Sequence, residues 1–171
     1  DELPVFTACP GDATVTNDAG ECFAVVNYTV TVTDNCAGMS STQTTGLPGG
    51  SEFPVGATLN IFEATDASGN VATCSFTITV VDNELPTISC PADIPVGTDD
   101  GMCTAVVTFS GASGGDNCPG FTIAQTGGPV SGSAFPLGTT IVTYKITDAS
   151  MNMATCSFQV IVSDDAAPKY S

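Results

Sequence analysis

An all-β fold is expected for this chain, organised as two immunoglobulin- or fibronectin-type sandwiches in tandem. Three observations lead there. A stretch from Phe53 to Val81 recurs from Phe135, and Asp66, Asn70 and Cys74 map onto Asp148, Asn152 and Cys156 at a constant offset of 82 residues. Within each copy, two apolar-rich runs flank a D-A-S-x-N turn, the pattern of a β-hairpin. The second run alternates: Ala72, Cys74, Phe76, Ile78 and Val80 share one face, and Val71, Thr73, Ser75, Thr77 and Thr79 the other. A period of two marks a strand with one buried face. A repeat of this length divides the 171 residues into two small domains, expected at 1-82 and 83-171.

Taken in order, Val5 to Ala8 reads as a first short strand, Cys9-Pro10-Gly11-Asp12 as a turn, and Thr14 to Thr16 as the strand resumed. Phe23 to Thr33 reads as one strand, with Ala24, Val26, Tyr28, Val30 and Val32 inward and Asn27, Thr29 and Thr31 outward. Ala105, Val107 and Phe109 are its inward counterparts. Asp34-Asn35-Cys36 and Asp116-Asn117-Cys118 break that strand. Thr-rich strands follow at Ser40 to Thr45 and at Thr122 to Thr126, and then Gly/Pro turns. About seven short strands per unit, turns every 8 to 12 residues and no helical period make a sandwich. With no Trp in the chain, an antibody-type core built on a Trp against its disulfide is excluded.

The second unit opens on Asn83-Glu84-Leu85-Pro86, as the first opens on Asp1-Glu2-Leu3-Pro4. Pro86 fixes its own φ and biases Leu85 toward an extended conformation, so a stiff junction and end-to-end packing are expected. Pro168-Lys169-Tyr170-Ser171 matches Pro86-Thr87-Ile88-Ser89 and reads as the start of a further strand. A chain that begins inside linker-like sequence reads as a mature or excised segment of a secreted protein.

The chain has 8 Cys, no His and no C-x-x-C. Regularly spaced cysteines in small domains form a disulfide framework and imply an oxidising compartment; zinc ligation lacks both His and paired short spacings. Four cysteines allow three pairings. Cys36 ends a strand at the pole where the strand carrying Cys74 begins, and Cys9 and Cys22 flank a turn. The expected bridges are therefore Cys9–Cys22 and Cys36–Cys74, repeated as Cys90–Cys103 and Cys118–Cys156.

The opening L-P…C-P, the D-N-C break, F-P-[VL]-G and T-D-A-S-x-N-x-A-T-C-S-F occur in that order in both units. This series resembles the hyalin repeat (HYR) family of extracellular immunoglobulin-like modules, over nearly the whole chain. The resemblance implies a place in a larger secreted or surface protein and a role in adhesion rather than catalysis. One departure is Met151, where the first repeat has Gly69, and a different turn shape is expected there.

A net charge of −16, with 18 acidic residues against 2 basic ones, removes the basic footprint that nucleic acid needs. No apolar run reaches the length of a membrane span. Without His there is no nucleophilic triad, and no Gly-rich loop precedes a helix. Two small sandwiches also offer little cleft for a carboxylate pair.

A Ca²⁺ site is the sharper expectation. The loop after the second strand and the loop before the last strand should meet at one pole, beside the incoming linker. This would gather Asp116, Asn117, Asp148 and Asn152 with Asp82, Asn83 and Glu84, and in the first unit Glu2, Asp34, Asn35, Asp66 and Asn70. Oxygen ligands from several segments suit Ca²⁺ in six- to eight-fold coordination, while turn capping accounts for the same residue types. Asn27-Tyr28-Thr29 is a sequon with an outward Asn, a candidate glycosylation site. Phe6, Phe121 and Tyr170 are the aromatics expected to be exposed. The resulting expectation is a structural or adhesive extracellular segment whose partners are other copies of itself, head to tail, or surface proteins and glycans. A carbohydrate- or protein-binding module of a larger secreted protein or enzyme is the alternative.

Overall fold

A computed structural model describes residues 2–165 and contains only strands and loops among them. Contacts divide the chain into two units, Asp1–Asn83 and Glu84–Ser171. Tyr170 and the strand start expected at 168-171 lie outside the described residues.

In the first unit, β1 (Val5–Ala8), β2 (Ala13–Thr16), β3 (Phe23–Val26), β4 (Thr31–Thr33), β5 (Ser40–Thr45), β6 (Ser51–Pro54), β7 (Gly56–Thr65) and β8 (Val71–Val81) follow in order. One sheet runs β2-β8-β7-β5, with β2 parallel to β8 and the other pairs antiparallel. Facing it are two ribbons, β1-β4 and β3-β6. Ala24, Phe53, Cys74, Phe76, Ile78 and Val80, drawn from both layers, are buried together. Phe6, Val26, Tyr28 and Val30 pack against them. The Tyr28 ring stands edge-on to Phe76 at a centroid distance of 4.8 Å, and its hydroxyl donates to the Leu47 carbonyl. The aromatic body is thus in the core and its polar end is satisfied.

The second unit repeats this plan with β9 (Thr87–Ser89), β10 (Ile94–Gly97), β11 (Thr104–Val107), β12 (Ser113–Gly115), β13 (Thr122–Gly127), β14 (Ser133–Pro136), β15 (Gly138–Thr147) and β16 (Met153–Ser163). Its large sheet runs β10-β16-β15-β13, and its ribbons are β9-β12 and β11-β14. Ala105, Val107, Phe135, Val142, Tyr144, Phe158, Val160 and Val162 form the core.

Two expectations change here. The strand expected from Phe23 to Thr33 is two strands. β3 pairs with β6, and β4 with β1. The chain changes partner over 27–30, where Gly49 passes so close to Tyr28 that a Cβ on it would lie 2.4 Å from the Tyr28 carbonyl oxygen. The inward alternation continues across the break, because it records burial and not ladder pairing.

The disulfides also differ from expectation. Cys9 pairs with Cys74, and Cys90 with Cys156, at Cα separations of 5.8 and 5.7 Å. The expected Cys9–Cys22, Cys36–Cys74, Cys90–Cys103 and Cys118–Cys156 bridges are therefore not made. Cys74 lies on the buried face of β8 and Cys9 directly after β1 in the facing ribbon layer, so this bond staples layer to layer. Cys36 instead lies exposed, two residues beyond Asp34. Cys36 and Cys103 are free thiols.

The cores differ at several positions, and at one of them a polar residue of the first unit stands where the second has a hydrocarbon. Asn60 on β7 is fully buried. Its Oδ1 accepts from the Leu47 amide at 3.0 Å and from Gln43 Nε2 at 3.3 Å, and its Nδ2 donates to the Thr58 carbonyl at 3.2 Å. The corresponding residue on β15 is Val142, also fully buried. Asn60→Val should cost about 1–3 kcal/mol in urea denaturation, because it strands the Leu47 amide. Removing the Cys9–Cys74 bond by Cys9→Ala/Cys74→Ala should cost about 2–5 kcal/mol, the range for a native disulfide in a small secreted domain.

Candidate functional site

The two poles of each unit hold the residues singled out in the sequence. In the first unit, the β7–β8 turn is closed by Asp66. Its Oδ1 accepts from the amides of Ser68 and Asn70, both at 2.8 Å, and its Oδ2 accepts from Asn70 Nδ2 at 2.7 Å. The Asp66 amide donates to the Asn70 carbonyl at 3.1 Å. D-A-S-x-N is thus a side-chain-closed turn, in which Asp supplies the acceptor that the short loop's amides lack. In the second unit, Asp148 Oδ1 accepts from the Asn152 amide at 2.7 Å and Oδ2 from Asn152 Nδ2 at 2.8 Å.

The Asp34–Ser40 loop lies against this turn. A Cβ on Gly38 would sit 3.2 Å from the Ala67 methyl, and one on Gly120 would sit 3.5 Å from Ala149. The chain arrives at the same pole, where Asn35 Nδ2 donates to Glu2 Oε2 at 3.1 Å. Asp34 Oδ2 accepts from the Cys36 amide at 3.0 Å, and Asp116 Oδ2 from the Cys118 amide at 2.9 Å. The Oδ1 atoms of Asp34 and Asp116 are buried without a hydrogen-bond partner. The expected meeting of the two loops therefore occurs, and it brings Asp34 and Asn35 near the Asp66–Asn70 turn and Asp116 and Asn117 near Asp148–Asn152. Asp82 is buried, Glu84 half-buried and Asn83 exposed.

Whether a unit by itself holds Ca²⁺ can be tested on the donors it offers. Both oxygens of Asp66 and of Asp148 already accept hydrogen bonds in their turns. Among the described residues, neither unit taken alone brings three acidic side chains together. The uncommitted carboxylate oxygen of Asp34 or Asp116 is far short of the six to eight oxygens that Ca²⁺ takes. Within each unit, the Asp and Asn residues of the hairpin turns work as turn closers.

Met151 keeps the backbone of its counterpart: φ is 73° at Met151 and 87° at Gly69. The different turn shape expected there does not occur. A left-handed Met persists because Asp148 and Asn152 over-determine the turn. Phe6 packs against the core, whereas Phe121 is 40% exposed. Asn27 is exposed, as a glycosylation acceptor must be. A cavity of about 310 Å³ beside β9 and β12 is lined by Thr87, Ile88, Ser89, Ser113 and Gly114, with no acid–base pair on its wall. Among the described residues, no helix is long and apolar enough to cross a membrane.

The far pole, missed in the sequence, is tied down by the strand exits. In the first unit, the Asn17 amide donates to the Val81 carbonyl at 3.0 Å, Asn17 Nδ2 to the Glu21 carbonyl at 2.9 Å, and the Asn83 amide to Asn17 Oδ1 at 3.3 Å. Cys22 lies in this cluster, its carbonyl accepting from Val55 at 3.2 Å. In the second unit, Thr98 donates to the Ser163 carbonyl at 3.0 Å and Leu137 to that of Cys103 at 3.2 Å. The G-x-C steps at Gly20–Cys22 and Gly101–Cys103, leading into β3 and β11, are the available signal, but they read equally well as plain turns.

This fold and its ordered turn motifs define a class of tandem β-sandwich modules. The HYR domain family model matches residues 1–80 and 81–162, and the chain belongs to that family. It is 33% identical over 166 residues to hyalin of Strongylocentrotus purpuratus, covering 95% of this chain and 14% of that protein. It is 34% identical over 170 residues to hyalin of Lytechinus variegatus, covering 96% and 32% respectively. A serine-rich adhesin for platelets from Staphylococcus aureus (strain MSSA476) is 30% identical over 171 residues, covering 85% of this chain and 7% of the adhesin. The chain thus spans a third or less of these relatives. Among solved structures, mouse cadherin-23 domains EC22–24 align over 95% of this chain and 67% of that one, at 15% identity and a TM-score of 0.43.

Three outcomes follow from the turn. Met151→Gly should raise stability by about 1–2 kcal/mol in thermal or urea denaturation, the cost of holding a side chain in the left-handed region. Asp148→Ala should lower the melting temperature equally in Ca²⁺ and in chelator; a loss seen only with Ca²⁺ would show that Asp148 is a ligand. The Asn70 side-chain amide, followed by backbone donors, holds the Asp66 carboxyl below its ordinary value against opposing desolvation. Its contribution to stability is therefore complete above the ordinary carboxylate range and is lost as pH falls through the lowered pKa. In a carboxyl-carbon NMR titration, Asn70→Ala should move the Asp66 midpoint upward.

Proposed function

We propose that this chain is a non-catalytic, extracellular structural and adhesive segment whose copies associate head to tail into a filament. The observation that carries this reading is polar: each unit receives the chain at one pole and releases it at the other. Glu2 contacts Asn35 beside the Asp66 turn, while Val81 and Asn83 bond to Asn17 beyond the end of β8. The two poles are thus separated by an 11-residue strand, roughly 35 Å at the usual strand rise. A module built this way extends a chain whenever one copy's downstream pole meets another's upstream pole. Such unlike, non-closing contacts give filaments rather than rings.

Membership of the HYR family, with relatives named hyalin and serine-rich adhesin, supports the extracellular, adhesive part. Disulfides in both units support an oxidising compartment. Surface proteins or glycans are the other partners this reading admits. A carbohydrate-stacking module has less support: of the three aromatics singled out for exposure, Phe6 is in the core, Tyr170 lies outside the described residues and Phe121 stands alone.

Negative-stain electron microscopy of the purified chain, with Ca²⁺ and then with chelator, tests the reading. Filaments that lengthen with protein concentration are the expected result. Dispersed single particles at every concentration and in both solutions would overturn self-assembly.

A further inference from the structure

Each unit carries, besides its layer-to-layer disulfide, one cysteine at each pole. At the upstream poles these are Cys36 and Cys118, held by the Asp34 and Asp116 carboxylates that accept from their amides. At the downstream poles they are Cys22 and Cys103, whose carbonyls accept from Val55 and Leu137. The repeat therefore duplicates both positions, yet their chemical states differ. Cys22 and Cys118 are disulfide-bonded. Their counterparts Cys103 and Cys36 are free and exposed. In this fold, then, a downstream-pole cysteine and an upstream-pole cysteine are each positions that take a disulfide partner, and the two left reduced are one of each kind.

We propose that Cys103 of one copy forms a disulfide with Cys36 of a second copy, joining downstream pole to upstream pole and linking chains covalently in series. This rests on the head-to-tail reading above and gives it a bond. The bond requires Cα atoms within about 4.4–6.8 Å, so the loop at Asp99–Cys103 must lie directly against the loop at Asp34–Cys36 of the next copy. That proximity sets two acidic loops face to face on chains of net charge −16, an arrangement that charge alone opposes. A covalent link holds it.

The chemistry balances with a small-molecule disulfide as oxidant. The Cys103 thiolate attacks oxidised glutathione, giving a mixed disulfide and releasing one glutathione thiolate. The Cys36 thiolate of the second copy then attacks the Cys103 sulfur and displaces the second glutathione. Two protein thiols are oxidised to one disulfide, one glutathione disulfide is reduced to two glutathione thiols, and the two protons lost by the protein thiols end on glutathione.

The full chain is incubated in an oxidised/reduced glutathione buffer, alkylated, and run on a non-reducing gel, with peptide mass mapping of each band. Wild type should give a ladder beyond the trimer that collapses to monomer with dithiothreitol. Cys36→Ser and Cys103→Ser should each remain monomeric, since each leaves a single free thiol with no unlike partner. An equimolar mixture of the two variants should give a heterodimer containing a Cys36–Cys103 peptide. Both substitutions replace exposed side chains outside the cores, so circular dichroism should match wild type. A monomer with Cys36 bridged to Cys103 in the same chain, symmetric Cys36–Cys36 or Cys103–Cys103 dimers, or thiols that stay alkylatable would each overturn the proposal. If filaments form while those thiols stay free, the disulfide fails and the head-to-tail reading stands; if no assembly occurs at all, both fail.

Discussion

The long hairpin of β7 and β8, and of β15 and β16, is the constraint on which each unit depends. Gly56 through Thr65 pair without interruption against Val80 through Val71. That register puts Cys74, Phe76, Ile78 and Val80 on one face, and a slip of one residue would turn all four to solvent. Everything else attaches to this ladder: β2 along the exit of β8, β5 along β7, and the two ribbons over its apolar face. The register is set where the chain reverses, because the Asp66 carboxylate consumes the amides of Ser68 and Asn70. A turn that supplies its own hydrogen bonds leaves little choice of partner residue for the strands that leave it.

The same turn shows how a local motif can outrank a residue's own preference. Gly69 adopts a left-handed φ at little cost, and Met151 adopts almost the same angle at some cost. Asp148 and Asn152 close the second turn as Asp66 and Asn70 close the first, so the backbone is dictated by the residues around the strained one. Oxygen-rich loops of this kind invite a reading as cation sites. Here most of the oxygen is already committed to amides.

The sequence pattern reported burial more faithfully than it reported pairing. Ala24, Val26, Tyr28, Val30 and Val32 do face inward, but the chain carrying them changes neighbour midway, and alternation is blind to that. A ladder break with no change of face leaves no periodic trace. The cysteines were harder still. Their spacing shows that they belong to a framework, yet the choice of partner depends on which side of the sandwich each loop reaches. Cys74 lies on the buried face of its strand, a position that an exposed pole residue such as Cys36 does not reach. The crossing of the chain between β1 and β2 delivers Cys9 there instead.

By itself, then, the sequence determined the two-unit division, the all-β class, the inward faces, the position of the closing turns and the family. Each of these is written in local order: a period of two, a turn motif, a repeated series. Tertiary structure alone decided the strand switch after Val26, the Cys9–Cys74 and Cys90–Cys156 bonds, and which thiols remain free. Those outcomes rest on contacts between residues tens of positions apart, with a separation of 65 for the first disulfide. Only the packed sandwich brings such residues within bonding distance.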